Sequence, residues 1–197
     1  MTIPATQVQE LRQRTGVGMM ECKKALVETG GDMEEAIDLL RARGQAKAAK
    51  KATRAAEEGR VESYIHLGGK IGVLIEVNCE TDFVAKTDDF RELCRDLAMQ
   101  VAATSPEAVD RESIDPRVVE REAAVYRQQA EEMDKPEEIV DKIVSGKLEK
   151  WYQEACLVEQ AYIKDPDRKV SDVVTEAVQR LGENIVVRRF TRYEVGE

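Results

Sequence analysis

The sequence predicts a protein of the α+β class, in which a three-stranded antiparallel sheet packs against helices and a helical hairpin. Apolar residues alternate with period two in two short stretches, as half-buried strands require. Elsewhere they recur every three or four residues, which is the pattern of amphipathic helices. Charged residues make up 35% of the 197 residues and aromatic residues only 5%. This composition favours helices over a large sandwich or barrel.

Residues 1–44 are predicted to form a three-helix module. The first helix ends at Thr15-Gly16-Val17-Gly18, and the second begins near Met19. The third begins with a capping-box-like pattern at Asp32 and is expected to end at Gly44. One face of each helix carries the residues expected in the core, which are Val8 and Leu11, then Cys22, Ala25, Leu26 and Thr29, then Ala36, Ile37 and Leu40.

The glycines of the first loop and the sequences Lys24-Ala25-Leu26 and Gly30-Gly31-Asp32 resemble those of ubiquitin-associated modules, which bind partner proteins. By this resemblance, the binding surface is the first loop and a helix face that carry Val17, Met19 and Met20. Methionine side chains are soft and suit a partner's groove. The alternative, that both methionines lie in the core of the module, is equally open from the sequence.

Residues 45–58 predict a basic linker helix, because the stretch is rich in alanine but has no wide apolar stripe. Its basic residues are Lys47, Lys50, Lys51 and Arg54. They either contact an acidic partner or form a solvated face, and the solvated face is the favoured interpretation. Residues 59–197 are assigned to a core domain, which includes a helical hairpin over residues 116–157.

A β-hairpin begins the core domain. In its first strand Val61, Ile65 and Leu67 alternate with Glu62, Tyr64 and His66, and its second strand carries Ile71, Val73, Ile75 and Val77. Gly68-Gly69 supplies the turn. His66 lies near this turn, on the face opposite to Ile65 and Leu67, which predicts a surface histidine.

Helices and a closing strand complete the core domain. Two apolar stripes, separated by Lys135-Pro136, predict an antiparallel helical hairpin. Asp165-Pro166-Asp167 predicts a loop before a last helix, which ends at Gly182. Residues 184–194 are rich in β formers and are expected to form the third strand. The stripes of the helical hairpin are Val119, Ala123, Tyr126, Ala130 and Met133, then Ile139, Val140, Ile143, Val144, Leu148, Trp151 and Ala155.

The change from strand to helix at Thr81-Asp82-Phe83-Val84 is a candidate binding site. Such a junction lies at an edge of the packed layers, where Phe83 can point outward from a rigid support. In the alternative interpretation, Phe83 packs into the local core and Asp82 caps a helix. Taken alone, the junction favours this alternative, and the rest of the chain has to decide between the two.

No catalytic or metal-binding set is recognisable in the sequence. Cys22, Cys79, Cys94 and Cys156 are scattered without a CxxC pair, and His66 is the single histidine. Disulfides and a zinc site are therefore disfavoured, and buried free thiols are expected. Neither GxSxG nor the phosphate-binding patterns GxGxxG and GxxxxGKS/T occur. We expect no cofactor and no enzymatic activity.

Charge and hydropathy narrow the classes of partner. The net charge of -9 argues against binding nucleic acid through phosphate neutralisation. No run of about 18 apolar residues exists, and the N-terminal residues lack the basic and apolar regions of a signal peptide. We therefore expect a cytoplasmic protein that contacts neither nucleic acid nor membranes directly.

Three long and specific sequences lie in the first, middle and last parts of the chain, at residues 14–26 (RTGVGMMECKKAL), 78–86 (NCETDFVAK) and 182–190 (GENIVVRRF). In this order they resemble the bacterial and organellar elongation factor Ts family. The resemblance implies a guanine nucleotide exchange factor for the GTPase elongation factor Tu, which releases GDP so that GTP can enter. It implies no bond-making chemistry in the factor, and the nucleotide would be bound by the GTPase.

The resemblance also implies which residues contact the GTPase. Those that match the family's grip on the G domain are Val17, Met19, Met20 and Lys23. Those that match the motif entering the G domain near the magnesium and phosphate site are Thr81, Asp82, Phe83 and Val84. By this resemblance, Phe83 would wedge between switch-region helices, and Asp82 would disturb the polar network behind the metal.

The chain has room for one core subdomain, whereas the long form of the family carries two. Ser63-Tyr64-Ile65-His66 resembles the long form's second hairpin, whose histidine also faces the GTPase. This comparison predicts a homodimer paired through its sheets, in a complex of two chains with two GTPases. One protomer would supply Asp82 and Phe83, and its partner His66. The alternative function is a general protein-binding adaptor using the ubiquitin-associated-like module, which leaves residues 81–84 without a purpose.

Overall fold

The computed structural model describes residues 3–133 and 135–196. The chain forms two compact units, one of Met1–Arg60, Val77–Cys94 and Asp172–Val186, the other of Val61–Glu76, Arg95–Ser171 and Val187–Glu197. The helices of the described residues are α1 (Ala5–Thr15), α2 (Met19–Glu28), α3 (Met33–Lys51), α4 (Asp82–Ala85), α5 (Asp88–Thr104), α6 (Pro116–Glu131), α7 (Glu137–Ala155) and α8 (Val170–Leu181). The strands are β1 (Glu58–Ile65), β2 (Ile71–Cys79), β3 (Ala161–Tyr162), β4 (Asp165–Lys169) and β5 (Ile185–Glu194).

The predicted α+β class and three-stranded antiparallel sheet are confirmed. The strand order β1-β2-β5 places β2 in the centre of the sheet. Alternate residues of β2 are buried, including Val73, Ile75 and Val77, as the sequence pattern predicts. The central strand therefore supplies one apolar face for the helices to cover.

A second, two-stranded sheet was not predicted. It pairs β3 with β4 in antiparallel fashion, and residues 165–167, which were assigned to a loop, lie in β4. β3 is only two residues long, so it leaves no readable period. Pro166 also argues against a strand, but a proline is tolerated in an edge strand of such a small sheet.

Helices α1, α2 and α3 pack around an apolar core. Its buried members are Val8, Leu11, Cys22, Ala25, Leu26, Ala36 and Leu40, and Ile37 is partly buried against them. These are the residues expected from the helical periodicity, with Thr29 left half-buried at the end of α2. Asp32 caps α3 as predicted, since its side chain accepts a hydrogen bond from the Glu35 backbone N–H at 2.9 Å.

Gly44 does not end the third helix, contrary to the expectation. α3 continues through Gly44 to Lys51, so the first half of the predicted linker helix is an extension of α3, and β1 already begins at Glu58. The glycine has a packing role instead. A Cβ atom at this position would lie 1.0 Å from Nε2 of Gln179, whose side chain reaches over the helix from α8. The flexible end of the Gln179 side chain fills the space beside this glycine, which therefore does not mark a helix end.

The alternation expected in β1 is present, but its apolar side is the exposed side. Val61, Ile65 and Leu67 are exposed, whereas Glu62 and Tyr64 are half-buried. The same unit has three other exposed apolar side chains in or next to the sheet strands. They are Leu74 on β2, Tyr193 on β5 and Val195, which directly follows β5. We call these six residues the apolar sheet face. A period of two shows which residues share a side, but it does not show which side the helices cover.

Helices α6 and α7 pack together as the predicted helical hairpin. Ala130, Val140 and Val144 are buried between them, with Tyr126, Ile143 and Leu148 packed around this centre. Met133 and Ile139, which were assigned to the apolar stripes, are exposed near the turn. The stripe therefore extends further in sequence than the packed seam does in the structure.

The four cysteines are buried free thiols, as predicted. Burial raises the pKa of Cys22 and Cys79, and it raises the pKa of Cys156 to about 11. In the part of the chain that the structure describes, no group of three or more side chains could hold a metal ion. Within the same residues, no helix combines the length and apolar character needed to cross a membrane.

Candidate functional site

The junction between β2 and α5 consists of a single helical turn. β2 ends at Cys79, α4 spans only Asp82–Ala85, and α5 begins at Asp88. One isolated turn of helix is unstable, because the first hydrogen bond does not offset the entropy of fixing the backbone. The position of α4 therefore depends on the groups that hold its two ends.

Threonines cap both helices of the junction. The Thr81 hydroxyl accepts a hydrogen bond from the Val84 backbone N–H at 3.4 Å. The Thr87 hydroxyl accepts one from the Phe90 backbone N–H at 3.2 Å. The proposal that Asp82 is the cap is therefore wrong, because Asp82 is the first residue inside α4.

Asp82 instead forms an ion pair within its own helical turn. Lys86 Nζ lies 2.5 Å from Asp82 Oδ2, and both side chains are about half exposed or more. A surface ion pair of this kind contributes about 0.3–0.5 kcal/mol. The Asp82 carboxylate is therefore free to exchange Lys86 for a group of a partner at little cost.

Phe83 points into solvent. Its side chain is 80% exposed, whereas Ala85 of the same turn is buried and Val84 is half-buried. The interpretation in which Phe83 packs into the local core is therefore wrong. A large exposed aromatic side chain on a fixed backbone is the usual form of an interface anchor.

The carboxylate of Glu183 holds the residue that caps α4. Its Oε1 atom accepts a hydrogen bond from the Thr81 hydroxyl at 2.7 Å. Its Oε2 atom accepts two more, from the backbone N–H groups of Thr81 at 3.0 Å and Glu80 at 3.1 Å. One side chain therefore satisfies three donors at the start of the junction.

The Glu80 side chain in turn binds the backbone of Asn184, the residue after Glu183. Its Oε1 atom accepts a hydrogen bond from the Asn184 backbone N–H at 2.6 Å, and Arg54 Nη1 lies 3.4 Å away. This N–H donor, with a smaller contribution from Arg54, lowers the pKa of the Glu80 carboxyl below its ordinary value. We call the residues Glu80, Thr81, Glu183 and Asn184 the brace. Sequence reasoning assigned no role to Glu80, Glu183 or Asn184, although all three lie in the recognised sequences.

The surface expected on the three-helix module is largely exposed. Met19 is 40% and Met20 67% exposed, so the interpretation that both methionines are core residues is wrong. Lys23 is exposed as well. Val17 differs, because it is half-buried and packs against the core of the module. Val27, on the same helix α2, is an exposed apolar residue that the sequence analysis did not single out.

His66 is exposed at the β1–β2 turn, where the sequence placed it. Its backbone N–H donates to the Ile71 carbonyl at 2.9 Å, and its Nδ1 atom lies 3.0 Å from the Tyr64 hydroxyl. His66 belongs to the second unit, whereas residues 81–84 and the exposed residues of the three-helix module belong to the first. The candidate residues of the first unit thus present an aromatic ring, a carboxylate and two thioethers, which suit contact with a protein surface.

Comparison with known proteins gives a consistent result over the whole chain. A family model described as elongation factor TS matches residues 4–197. The elongation factor Ts of Syntrophomonas wolfei is 59% identical over 195 residues, which cover 99% of this chain and 91% of the relative. The elongation factors Ts of Heliobacterium modesticaldum and Moorella thermoacetica are each 60% identical over 195 residues, covering 91% and 96% of those relatives.

Proposed function

Because the chain belongs to the elongation factor Ts family, we propose that it acts as a guanine nucleotide exchange factor for elongation factor Tu. The observation that carries the proposal is the exposure of Phe83 on a turn whose preceding residues, Glu80 and Thr81, are held by three hydrogen bonds. The proposed activity makes and breaks no covalent bond. It takes place in the cytoplasm and needs no direct contact with nucleic acid or a membrane.

The proposed mechanism uses two surfaces of the first unit. Met19, Met20 and Lys23, with support from Val17, grip the G domain of the GTPase. Phe83 enters the G domain near the magnesium and phosphate site, with Thr81 and Val84 beside it. Asp82 exchanges its weak contact with Lys86 for polar groups behind the metal. The loss of metal and phosphate contacts then speeds GDP release.

The size of the effect requires more than one side chain. Burying a phenylalanine contributes about 1.5–3 kcal/mol, which corresponds to roughly one to two decades in an equilibrium or rate constant. A broad interface must therefore hold the GTPase in its open form. Factor and nucleotide are then reciprocal ligands, each lowering the affinity of the GTPase for the other.

We further propose that the working form is a homodimer paired through the apolar sheet face, in a complex of two chains with two GTPases. Val61, Ile65 and Leu67 are all more than half exposed, which is unfavourable in a monomer. Two copies of an apolar sheet can cover each other across a two-fold axis. The Glu76–Arg189 ion pair, at 2.7 Å, neutralises charge on neighbouring strands of that sheet. In such a dimer, His66 of one protomer serves the GTPase that contacts Phe83 of the other.

A general protein-binding adaptor remains the alternative function. The exposed Met20 and Val27 on α2 favour a binding surface on the three-helix module whatever the partner is. The adaptor hypothesis gives no role to the exposed Phe83 or to its brace. We therefore place it second.

Release of a fluorescent GDP analogue from elongation factor Tu, chased with excess GDP, tests the proposal. We expect wild-type protein to accelerate release strongly and Asp82→Ala or Phe83→Ala to lower the maximal rate. Met20→Ala should mainly raise the concentration of factor needed for half of that rate, because it weakens the grip. No acceleration by the folded wild-type protein would contradict the exchange function and leave the adaptor as the better account.

A further inference from the structure

We propose that Glu183 is a positioning residue for nucleotide exchange, which acts by orienting the Thr81 cap and with it the α4 turn that carries Phe83. The inference rests on the proposed exchange function and names a residue to which that function gave no role. Glu183 does not itself need to touch the GTPase. Its effect passes through Thr81.

The direction of the Thr81 hydroxyl is the first step of the argument. A hydroxyl has one proton to donate and lone pairs to accept. Its proton is committed to Glu183 Oε1 at 2.7 Å, which is a short bond to a charged acceptor. A lone pair is therefore left facing the Val84 N–H, one of the donors in the first turn of α4 that have no partner within the helix. Glu183 thus fixes the cap in the orientation that the helix turn needs.

The backbone contacts are the second step. The N–H groups of Glu80 and Thr81 both donate to Glu183 Oε2, at 3.1 and 3.0 Å. They fix the chain at the point where β2 has ended and α4 has not yet begun. The carboxylate therefore replaces the sheet partner that these two N–H groups lack, and it holds the entry to the turn that presents Asp82 and Phe83.

The placement of Glu183 is the third step. Gly182, with a positive φ of 81°, directly follows α8, and its N–H donates to the Val178 carbonyl at 3.1 Å. This left-handed residue turns the chain from the helix towards β5. Asn184 is buried, its backbone N–H donates to Glu80, and its Nδ2 atom donates to the Arg54 carbonyl at 2.8 Å. Glu183 is therefore held on both sides, so its carboxylate is aimed before any partner arrives.

Loss of the Glu183 carboxylate should affect the orientation of Phe83 more than the stability of the fold. Without the carboxylate, the N–H groups of Glu80 and Thr81 can turn to water at the half-buried edge, so the core need not change. The single turn of α4 loses its oriented cap, and Phe83 then samples many directions. Binding would have to order it again, which lowers the rate of the exchange step.

The experiment measures GDP release over a range of factor concentrations and separates the maximal rate from the half-saturating concentration. For Glu183→Ala we expect the maximal rate to fall roughly tenfold, the effect of losing bonds to a charged acceptor. The half-saturating concentration should change less than about twofold, which is a small change in affinity. The reason is that the substitution leaves the three-helix module unchanged. Glu183→Gln should recover part of the rate, since its amide oxygen still accepts. Glu120→Ala, an exposed residue of α6, is the matched control and should behave as wild type.

A double-mutant cycle with Phe83→Ala identifies the route of the effect. If Glu183 acts through the α4 turn, Glu183→Ala should cost much less in the Phe83→Ala background than in wild type. Equal losses in both backgrounds would overturn the proposal. They would show that Glu183 acts independently of the turn.

Hydrogen exchange of the free protein gives a readout that needs no GTPase. In Glu183→Ala the amides of Glu80 and Thr81 should lose protection, while those of β2 residues such as Ile75 keep theirs. Thr81→Val, which removes only the hydroxyl, should lower the maximal rate with the fold intact, and it replaces Glu183→Ala if that variant fails to fold. If Glu183→Ala and Thr81→Val both exchange at the wild-type rate while Phe83→Ala is impaired, the proposed role of Glu183 is overturned. The exchange function itself would stand. If instead the wild type does not accelerate GDP release, while Glu183→Ala loses the amide protection of Glu80 and Thr81, the exchange function is contradicted.

Discussion

Phe83 and Phe90 lie on either side of Thr87 in the same junction, and Phe83 is 80% exposed whereas Phe90 is completely buried. The two side chains have the same size, so their environments decide what each one contributes. Phe90 stabilises the fold by burial. Phe83 contributes little burial to the free chain, and its ring is available to a partner.

The first prediction uses these two residues as a matched pair. Phe90→Ala should destabilise the protein by about 3–5 kcal/mol, because it leaves a cavity in the core. Phe83→Ala should change the free energy of unfolding by less than about 0.5 kcal/mol and should lower the maximal rate of GDP release. Urea unfolding and the release assay measure the two effects. A Phe83→Ala protein with wild-type exchange would contradict the proposed wedge.

The second prediction concerns the apolar sheet face. Leu74→Lys places a charge in the middle of the apolar sheet face, which the proposed dimer would bury, so dimerisation should weaken by at least about tenfold. Sedimentation velocity over a dilution series measures the change. Val125→Lys, on an exposed site of α6, is the control and should leave the oligomeric state unchanged. A wild-type monomer that exchanges nucleotide at full rate at low concentration would contradict the dimer.

The third prediction compares two glycines. A Cβ at Gly59, where φ is +146°, would lie 2.3 Å from the Val77 carbonyl oxygen and 2.7 Å from Asn78 Cα, both rigid backbone atoms. Gly59→Ala should therefore cost about 2–4 kcal/mol. Gly146 lies within α7 with nothing inside 4 Å of its missing Cβ. Gly146→Ala should stabilise the protein by about 0.5–1 kcal/mol. Thermal unfolding that moves in the same direction for both variants would contradict this account.

The fourth prediction is a pH dependence of Cys156. Burial raises the pKa of this thiol to about 11, and the ordinary value is about 8.5. The unfolded chain loses the proton first as the pH rises, so stability should fall between about 8.5 and about 11. At pH 8 the thiolate fraction in the folded protein should therefore be well below that of a free thiol. Iodoacetamide should therefore leave Cys156 unmodified in the native protein and modify it in urea, as measured by peptide mass. Rapid native modification would contradict its burial.

Much of the fold follows from local pattern. The alternation of Val73, Ile75 and Val77 predicts β2, and the spacing of Cys22, Ala25 and Leu26 predicts the buried face of α2, as found. Periodicity of this kind works because each residue's side is set by the geometry of its own element. The recognised sequences also indicate the family, which the comparisons show.

Other features depend on residues that are distant in the chain. In the sequence Gly44 predicts a helix end, but in the structure it lies inside α3, and the Gln179 side chain from α8 occupies the space beside it. The apolar side of β1 reads as a core face, yet Val61 and Ile65 are exposed. Neither fact is visible locally, because each depends on which element packs there.

The candidate site shows the same division. The sequence determined that a strand gives way to a helix at residues 81–84 and that Phe83 is the aromatic residue placed there. Only the tertiary structure decided that Phe83 points outward, that Thr81 rather than Asp82 caps the turn, and that Glu183 holds the cap. The physical reason is that a four-residue helix has too few internal hydrogen bonds to fix itself. Its orientation comes from a carboxylate that the chain brings back after about a hundred residues, which no local sequence pattern records.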